Sequence, residues 1–387
     1  MKLKYKFEYN VTKELFVIYM ELTKLVTRIS EQMENQINTS AVLSKYSYLH
    51  TQDKKYENNT LDEIINTLKS KSSEYKSFIK IIEEKPDLAK IKLIGQSNID
   101  YEIPIEHLDA LIYEDIDKAI YIVFRGTGDG KWIDNGDGLT KESSFMQKVA
   151  MEFFNIFIEK KYLYDYQGKE IIVTGHSKGG NLAQFITMSS IYSDLIYKTY
   201  SFDGQGFSKL AVENFKINLD YIPFYNQINK IYAINGQNDF ISPLGYNIVE
   251  KDKYFFIKTP NNINSWHNIS QMLEGAKLNW IRDEDGNIII GESGPVWRYA
   301  SELSKDMMEL EGEDLDDLVI TVMSFFEALL PYQNIIGGKY KYGTGDRAFM
   351  SKDDFIGFLT NGLPSLIRNI SKRTGLTNDK YLLIYDK

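Results

Sequence analysis

The chain has 387 residues, of which 43% are hydrophobic and 26% are charged, and this supplies enough apolar material for a core around one large sheet. The formal net charge of −9 argues against nucleic acid as a partner, because a phosphate backbone needs a concentrated basic surface. The absence of cysteine excludes disulfides, thiol nucleophiles and cysteine–zinc sites.

Residues 1–85 are predicted to form an N-terminal helical region that packs on the core. Apolar side chains recur at helical spacing over 12–38, and a second helical stretch covers about 60–82. The apolar run at 15–20 is short and lies between two glutamates, which argues against a signal peptide. No stretch approaches the roughly 18 apolar residues that would span a bilayer. The expected localisation is therefore cytoplasmic by default, with export by a signal-less route left open.

Residues 86–292 carry the alternation of strands and helices that is typical of an α/β core. Helices are predicted at about 143–160 and 178–192, and Asp285-Gly286 predicts a turn after the core. Strands that alternate with helices favour a mostly parallel central sheet flanked by helices on both faces. The strands are predicted from short apolar or alternating runs at 89–93, 108–113, 119–124, 171–174, 198–202, 230–234 and 254–258.

Residues 293–387 change character and are predicted to form a C-terminal helical cap. A second amphipathic helix of this region is expected near 353–369. The first is predicted from apolar side chains at helical spacing, which are Leu315, Leu318, Val319, Val322, Phe326 and Leu329.

The strongest local pattern lies in the run 171–183, where G-x-S-x-G stands between a predicted strand and a predicted helix. A serine on so tight a turn adopts strained dihedral angles, so the residues two before and two after it must be small. Gly175 and Gly179 meet this requirement around Ser177. The helix start also presents free N–H groups to a developing negative charge. The pattern predicts a nucleophilic serine, and the alternative is a glycine-rich turn with a capping serine.

The scarcity of histidine indicates the base that would activate Ser177. Such sites place an acid and then a histidine after the serine in the chain. Of the four histidines, His50, His107 and His176 precede the serine, and the side chain of His176 is expected to point away from it. His267 is therefore the predicted general base.

The acid that orients His267 is expected in a loop after a strand. Asp239 follows the predicted strand at 230–234 and precedes apolar residues and a proline that would fix its direction. Asp203 also follows a strand and is the second candidate, with stabilisation of its own loop as the alternative role. Weaker candidates between the serine and the histidine are Asp220, Asp252, Glu213 and Glu250.

The run 121–135 predicts a backbone that binds an oxyanion. Its strand ends in the sequence FRGT and is expected to lie beside the strand that leads to Ser177. The N–H groups of Thr127 and Lys178 would then bind the oxygen of a tetrahedral intermediate, and each such donor lowers the barrier by about 2.7–4 kcal/mol.

The sequence contains three separated motifs in this chain order: FRGT followed by Trp132, then GHSKGG, then NDFISPLG. Together they resemble the class 3 lipases and the related bacterial lipase-like hydrolases of unassigned substrate, over about residues 85–270. The resemblance implies an α/β-hydrolase fold with a catalytic triad of Ser177, Asp239 and His267.

The same resemblance implies an oxyanion hole at Thr127, whose side chain would be held by Asn135. Two departures concern these positions: Lys178 stands where an apolar residue is typical, and Asn135 stands where aspartate is more usual. A polar rim at the scissile bond would disfavour triglycerides. The loop 128–145 is the lid region of such proteins, but here it is polar and glycine-rich. Segment 204–228 is predicted to form either an apolar wall for an acyl chain or ordinary core.

The resulting hypothesis is a serine carboxylic-ester hydrolase of the lipase or phospholipase type, which acts on lipid acyl esters through an acyl-enzyme and needs no cofactor. The alternatives are an esterase or acyltransferase for small soluble esters, and a lipase-like scaffold that serves as a binding or effector module. Peripheral membrane contact and a protein partner at the helical ends are left open. No metal is predicted, because Asp129, Asp134 and Asp137 do not match a calcium-binding loop.

Overall fold

The structure is a computed structural model, and two predicted helical stretches, at 12–28 and 353–369, lie outside the residues that it describes. Within the described part, no helix combines the length and the apolar run that crossing a bilayer requires. The described residues are 29–49, 53–68, 73–97, 108–127, 132–217, 224–260 and 265–329.

A seven-stranded sheet forms the centre of the fold, and its strands follow one another across the sheet in chain order. The first three strands are antiparallel neighbours, and the third to the seventh run parallel. This confirms the prediction of a mostly parallel sheet. The strands are β1 (Lys92–Gln96), β2 (Ala110–Glu114), β3 (Ile120–Phe124), β4 (Ile171–His176), β5 (Ile196–Phe202), β6 (Ile231–Gly236) and β7 (Tyr254–Ile257).

Helices flank the sheet on both faces, and a small ribbon of β8 (Leu273–Glu274) and β9 (Lys277–Leu278) follows it. A π-helical segment, Ile158–Tyr166, continues the sixth helix. The helices are α1 (Glu31–Ser47), α2 (Leu61–Leu68), α3 (Ser73–Glu84), α4 (Pro86–Ala89), α5 (Trp132–Thr140), α6 (Phe145–Phe157), α7 (Lys178–Ser189), α8 (Lys209–Ile217), α9 (Phe224–Ile228), α10 (Ile269–Met272), α11 (Pro295–Met308) and α12 (Gly312–Leu329).

The helices that connect the parallel strands cover one face of the sheet. A chain that always moves in the same direction across a sheet by right-handed crossovers returns over the same face each time. Phe153 of α6 and Leu182 of α7 accordingly share one buried cluster with Ile122 of β3 and Val173 of β4. The opposite face must therefore be covered by residues from outside these connections.

The N-terminal helices supply that cover. Helix α1 lies against β3, β4 and β5 and is buried along most of its length. Its Tyr46 packs against Phe78 of α3, with ring centroids 4.9 Å apart, and both belong to one cluster with Tyr121 and Ile172 of the sheet. Without these helices the alternate apolar side chains of the central strands would face water, at a cost of about 25 cal/mol per Å².

The predicted polar loop at 128–145 is wrong for much of its length, because residues Trp132–Thr140 form helix α5. The glycines that suggested a loop instead allow close helix packing. A Cβ atom at Gly136 would lie 3.0 Å from Val319 and 3.2 Å from Met323, both on α12. Residues 128–131 lie outside the described part.

Other element boundaries differ for local reasons. The strand predicted at 89–93 begins later, at Lys92, because Pro86 stands in the first turn of the short helix α4, where its fixed φ favours a helical start. The stretch predicted as one helix at 60–82 contains two helices, α2 and α3. The predicted turn at Asp285-Gly286 is present, with Gly286 at φ +82° and its N–H bonded to the Asp283 carbonyl.

A separate apolar cluster, here called the cap cluster, joins α5, α11 and α12 to the loop after β6. Helix α12 covers the predicted amphipathic stretch, and Leu318 and Val319 are buried in this cluster. The cluster consists of Trp132, Leu139, Phe240, Ile241, Leu244, Ala300, Leu303, Met307, Met308, Leu310, Leu318, Val319 and Met323.

Candidate active site

A serine, a histidine and an aspartate from three separate loops meet at the carboxyl edge of the parallel strands. Ser177 directly follows β4, Asp239 lies three residues after β6, and His267 lies in the loop after β7. The Nε2 atom of His267 is 2.8 Å from the Oγ atom of Ser177. Its Nδ1 atom is 2.7 Å from the Oδ1 atom of Asp239. The three side chains are thus placed for proton transfer from the serine to the imidazole.

The backbone at Ser177 has a conformation that is rare for any residue with a side chain, with φ +59° and ψ −125°. Its N–H group donates to the Phe202 carbonyl at 2.8 Å, which fixes the turn to the neighbouring strand. A Cβ atom at Gly175 would collide with Gly179, and one at Gly179 would collide with the Phe124 carbonyl. Only glycine fits at either position, so these two residues allow the strained turn to form.

Asp239 is fully buried and its direction is set by the backbone that follows it. Its carboxylate accepts hydrogen bonds from the N–H groups of Ile241, at 3.3 Å, and Ser242, at 2.6 Å. Helix α11 supports this loop, since Trp297 donates from its indole to the Ser242 hydroxyl at 3.1 Å. The carboxylate is therefore held towards the imidazole of His267.

The end of β3 lies beside the serine, as the FRGT motif predicts. Phe124 pairs with Gly175 across the two parallel strands. A Cβ atom at Gly126 would lie 2.7 Å from the His176 carbonyl oxygen and 3.1 Å from the Cβ atom of Ser177. The next residue, Thr127, therefore has its backbone close to the serine.

The side chain of Thr127 is held by Asn135 of α5, whose amide Nδ2 donates to the threonine Oγ1 atom at 2.8 Å. The backbone carbonyl of Asn135 in turn accepts from the side-chain amide of Gln205 at 2.9 Å. Helix α5 is thereby attached both to the strand that carries Thr127 and to the loop after β5.

Lys178 does not form the polar rim that the sequence predicted. Its side chain is 5% exposed and turns inwards, where its Nζ atom lies 2.6 Å from the Oδ2 atom of Asp134. The ammonium group also donates to the Asp134 carbonyl, at 3.0 Å, and to the Ser144 hydroxyl, at 3.2 Å. A buried ammonium needs such a charged partner, and α5 supplies it. The lysine therefore ties the start of α7 to the start of α5.

The charges of this pair affect each other's ionisation. Burial lowers the pKa of Lys178, and the charge of Asp134 only partly opposes this effect. Burial would raise the pKa of Asp134, but the Lys178 charge together with the hydrogen bonds from Lys178, the Met146 N–H and the Ser144 hydroxyl outweighs it, and the pKa of the carboxyl is lowered. The two groups therefore depend on each other.

Replacing Lys178 by methionine is expected to lower the free energy of unfolding by about 3–5 kcal/mol, because the Asp134 carboxylate would stay buried without its cation. The double variant Lys178→Met/Asp134→Leu should recover most of this loss, since no unpaired charge remains. Urea denaturation followed by circular dichroism measures both effects. A single variant as stable as wild type, or a double variant no better than the single one, would contradict the assignment.

The prediction that the His176 side chain points away from the site is wrong. Its ring lies next to that of His267, with centroids 4.8 Å apart and planes inclined by 31°. The Nδ1 atom is 2.8 Å from the hydroxyl of Tyr48, which lies directly after α1. The Nε2 atom is 3.5 Å from the Oδ2 atom of Asp203. His176 is the last residue of β4, and its side chain therefore lies beside the triad.

Asp203, the second candidate for the orienting acid, contacts His176 rather than His267. Its Oδ1 atom accepts a hydrogen bond from the N–H group of Gly236 at 2.7 Å. The geometry therefore favours Asp239 as the partner of His267.

Sequence patterns gave no indication of Tyr48, which is far from the site in the chain, or of Gln205. Asp134 had an indirect indication. A lysine inside a tight glycine-rich turn must be solvated or paired, and the nearby motif at 121–135 contains the acid that pairs with it.

In the part of the chain that the structure describes, the site is closed to large ligands. Ser177 is 3% exposed, and the cap cluster lies against His267 through Phe240, whose ring centroid is 5.7 Å from that of the imidazole. A cleft next to the site, lined by Thr127, Lys178 and neighbouring residues, has a volume of about 10 Å³, which is room for one water molecule. A substrate therefore needs the cap cluster or the adjoining loops to shift.

The buried apolar residues of segment 204–228 belong to the core. Phe207 and Phe215 are buried against Phe185 of α7 in one cluster, while Leu210 faces solvent. The described part therefore offers no open apolar wall, and residues 218–223 lie outside it.

One group of side chains among the described residues has metal-ligating atoms close together. These atoms belong to His176, Asp203 and His267 and lie within 4.8 Å of one another. Both ring nitrogens of His267 already face Ser177 and Asp239, so a metal there would displace the histidine from the serine. The hydrogen-bonded arrangement explains the cluster without an ion.

The mostly parallel seven-stranded sheet with helices on both faces is the architecture of the α/β-hydrolase fold. A family model described as Mbeg1-like matches residues 82–231 of the chain. No curated protein matches the chain in sequence.

Three solved structures of fungal lipases are similar to the chain. The Lip2 lipase from Yarrowia lipolytica has 13% identity and a TM-score of 0.37, with 60% of this chain and 81% of that chain covered. The mono- and diacylglycerol lipase from Aspergillus oryzae has 13% identity and a TM-score of 0.37, with 62% and 84% covered. The lipase from Rhizopus microsporus has 12% identity and a TM-score of 0.37, with 65% and 90% covered. These structures give no support to the bacterial part of the sequence resemblance.

Proposed function

We propose that the protein is a serine carboxylic-ester hydrolase that acts through an acyl-enzyme. One observation carries the proposal: Ser177, on a strained turn, is 2.8 Å from the Nε2 atom of His267, whose Nδ1 atom is 2.7 Å from Asp239. Strain of this kind persists only where the surrounding structure imposes it, and it is concentrated at functional sites.

The chemistry follows from the contacts. The Oγ atom of Ser177 attacks the ester carbonyl while its proton moves to Nε2 of His267, and Asp239 holds the imidazolium by its Nδ1–H. The N–H groups of Thr127 and Lys178 bind the oxyanion. The tetrahedral intermediate expels the alcohol, which takes the proton from Nε2, and an acyl-serine remains. A water molecule then attacks the acyl carbonyl while it gives a proton to the same nitrogen, and that proton passes to the Oγ atom of Ser177 as the acid leaves.

Lipid acyl esters are the proposed substrates, because the groups that would have to move to admit a substrate are apolar. Phe240 stands beside His267, and Trp266, the residue before the histidine, packs against the cap cluster. An acyl chain that displaced these contacts would replace one apolar surface by another.

A serine-directed probe tests the proposal. An alkyl fluorophosphonate is expected to add once to the folded protein, with loss of fluoride, and peptide mass spectrometry should place the adduct at Ser177. Urea-unfolded protein, in which the triad is dispersed, is the control and should not react. A folded wild-type protein that takes up no probe would overturn the hydrolase proposal and favour a binding module.

Ester chain length separates the remaining alternatives. With p-nitrophenyl esters, kcat/KM should be higher for octanoate than for acetate, since each buried CH₂ group contributes about 0.8 kcal/mol. The reverse order would indicate an esterase or acyltransferase for small soluble esters.

A further inference from the structure

A second row of hydrogen-bonding side chains runs beside the triad. The ring of His176 is stacked at 4.8 Å on that of His267, and its two nitrogens face Tyr48 on one side and Asp203 on the other. Asp203 and His176 are buried, with 1% and 4% of their surface exposed, and Tyr48 is half-buried.

One end of this row reaches the backbone that precedes Thr127. The N–H group of Gly126 donates a hydrogen bond to the Tyr48 oxygen. A Cβ atom at Gly126 would collide with that same hydroxyl, so the phenol rests directly on the glycine. The Tyr48 ring is also flanked by the Arg125 guanidinium, 5.6 Å from its centroid. The tyrosine therefore packs against the backbone that follows β3.

The other end of the row reaches the loop that carries the orienting acid. The Oδ1 atom of Asp203 accepts from the Gly236 N–H at 2.7 Å, three residues before Asp239. Asp203 has φ +49°, a left-handed conformation that is uncommon for a residue with a side chain. Like Ser177, it is held in this conformation by the structure around it.

The protonation states of the row follow from its burial. Burial, and then the nearby Asp239, raises the pKa of Asp203 well above its usual range. Burial, and then the nearby His267, lowers the pKa of His176 well below its usual range. Both shifts favour the uncharged forms of the acid and of the imidazole. The Oδ2 atom of Asp203 faces Nε2 of His176, and Nδ1 of His176 shares a hydrogen bond with the Tyr48 hydroxyl.

We propose that Tyr48, His176 and Asp203 form a second chain of polar side chains, joined by the Tyr48–His176 hydrogen bond and the 3.5 Å contact between His176 and Asp203, which positions the Gly126–Thr127 backbone for oxyanion binding. This inference rests on the proposed hydrolase function. It makes Tyr48, supplied by the N-terminal helices, a positioning residue of the site. A neutral chain suits this place, because a cationic His176 would repel the imidazolium that His267 becomes during the reaction.

Replacing Tyr48 by phenylalanine tests the role of the chain. The variant should lower kcat about 10-fold with KM within about twofold, since one hydrogen bond that positions an oxyanion donor is lost. Affinity for a trifluoromethyl ketone, whose hemiketal oxyanion occupies the same position, should fall by the same factor.

Tyr113→Phe is the matched control. Its hydroxyl is also buried, on β2 in the cluster that contains α1, and has no hydrogen-bond partner among the described residues. The control should keep wild-type kcat and inhibitor affinity. A Tyr48→Phe variant that behaves like the control, or that changes KM rather than kcat, would overturn the positioning role.

Histidine NMR tests the chain independently of catalysis. In protein labelled with ¹⁵N-histidine, the His176 signals, identified by their loss in His176→Gln, should show a ring that stays neutral through the range around pH 6.5 in which a free histidine titrates. The titratable groups that face this ring are Tyr48, Asp203 and His267. A His176 that titrates near pH 6.5 would overturn the chain, whereas a wild-type protein without turnover would overturn only the hydrolase proposal.

Discussion

Replacing Ser177 by alanine is expected to lower the turnover of p-nitrophenyl esters by about 10⁴- to 10⁶-fold, because no other group can form the acyl-enzyme. The residual rate would come from the oxyanion donors and from substrate binding. Initial rates at saturating substrate measure the effect, and an unchanged urea midpoint shows that the fold is intact. The strained backbone at this position need not relax, since alanine removes only the hydroxyl.

Ser190→Ala is the matched control for this experiment. Ser190 is buried at the opposite end of α7, and its hydroxyl donates to the side chain of Asn155 at 2.6 Å, far from the imidazole. Its rate should stay within about twofold of wild type. If Ser177→Ala retained wild-type turnover, hydrolysis would be excluded as a function of this serine.

The elbow around Ser177 could be predicted because its determinants are local. An apolar strand, two glycines at fixed spacing and a helix start all lie within residues 171–183. The prediction of His267 as the base rested on two other facts. The chain has only four histidines, and the histidine of such sites follows the serine in the chain. The central strands could be predicted for the same reason as the elbow. A strand that is buried on both faces is a continuous apolar run, and each such run can be recognised in the local sequence.

Helix α5 could not be predicted, because a contact with a distant part of the chain stabilises it against the low helix propensity of its own sequence. Its glycines are unfavourable in an isolated helix by about 1 kcal/mol each. In the folded chain, Gly136 lets α12 approach, and the packing of Trp132 and Leu139 in the cap cluster offsets the propensity. A local pattern contains no information about a partner helix that begins at Gly312.

The role of the N-terminal helices depends on topology rather than on composition. Their amphipathic pattern predicts that they pack somewhere, but not on which surface. The strand order leaves one sheet face without connecting helices, and α1 fills it. That placement brings Tyr48 to His176, a contact across 128 positions of sequence that no spacing rule could indicate.

The sequence offers two candidates for the orienting acid, since Asp239 and Asp203 both follow strands. Replacing Asp239 by asparagine is expected to lower kcat about 10⁴-fold, because the amide would hold the imidazole in the wrong tautomer for accepting the serine proton. The amide oxygen can keep the shorter backbone contact, from the Ser242 N–H to the Oδ2 position, while the NH₂ group takes the Oδ1 position that faces Ile241 and His267.

Asp203→Asn is the control that separates the two acids, and its expected effect on kcat is below about fivefold. Burial and the nearby Asp239 raise the pKa of Asp203, which favours its protonated form, and an asparagine amide has the same shape and also carries one donor and one acceptor group. Its oxygen can accept from Gly236 and its NH₂ group can face Nε2 of His176. Equal losses in the two variants would mean that Asp203 is ionised and shares the orienting role. A large loss in Asp203→Asn, with little loss in Asp239→Asn, would assign the orienting role to Asp203 instead of Asp239. The His267 imidazole would then depend on the acid that lies beside His176.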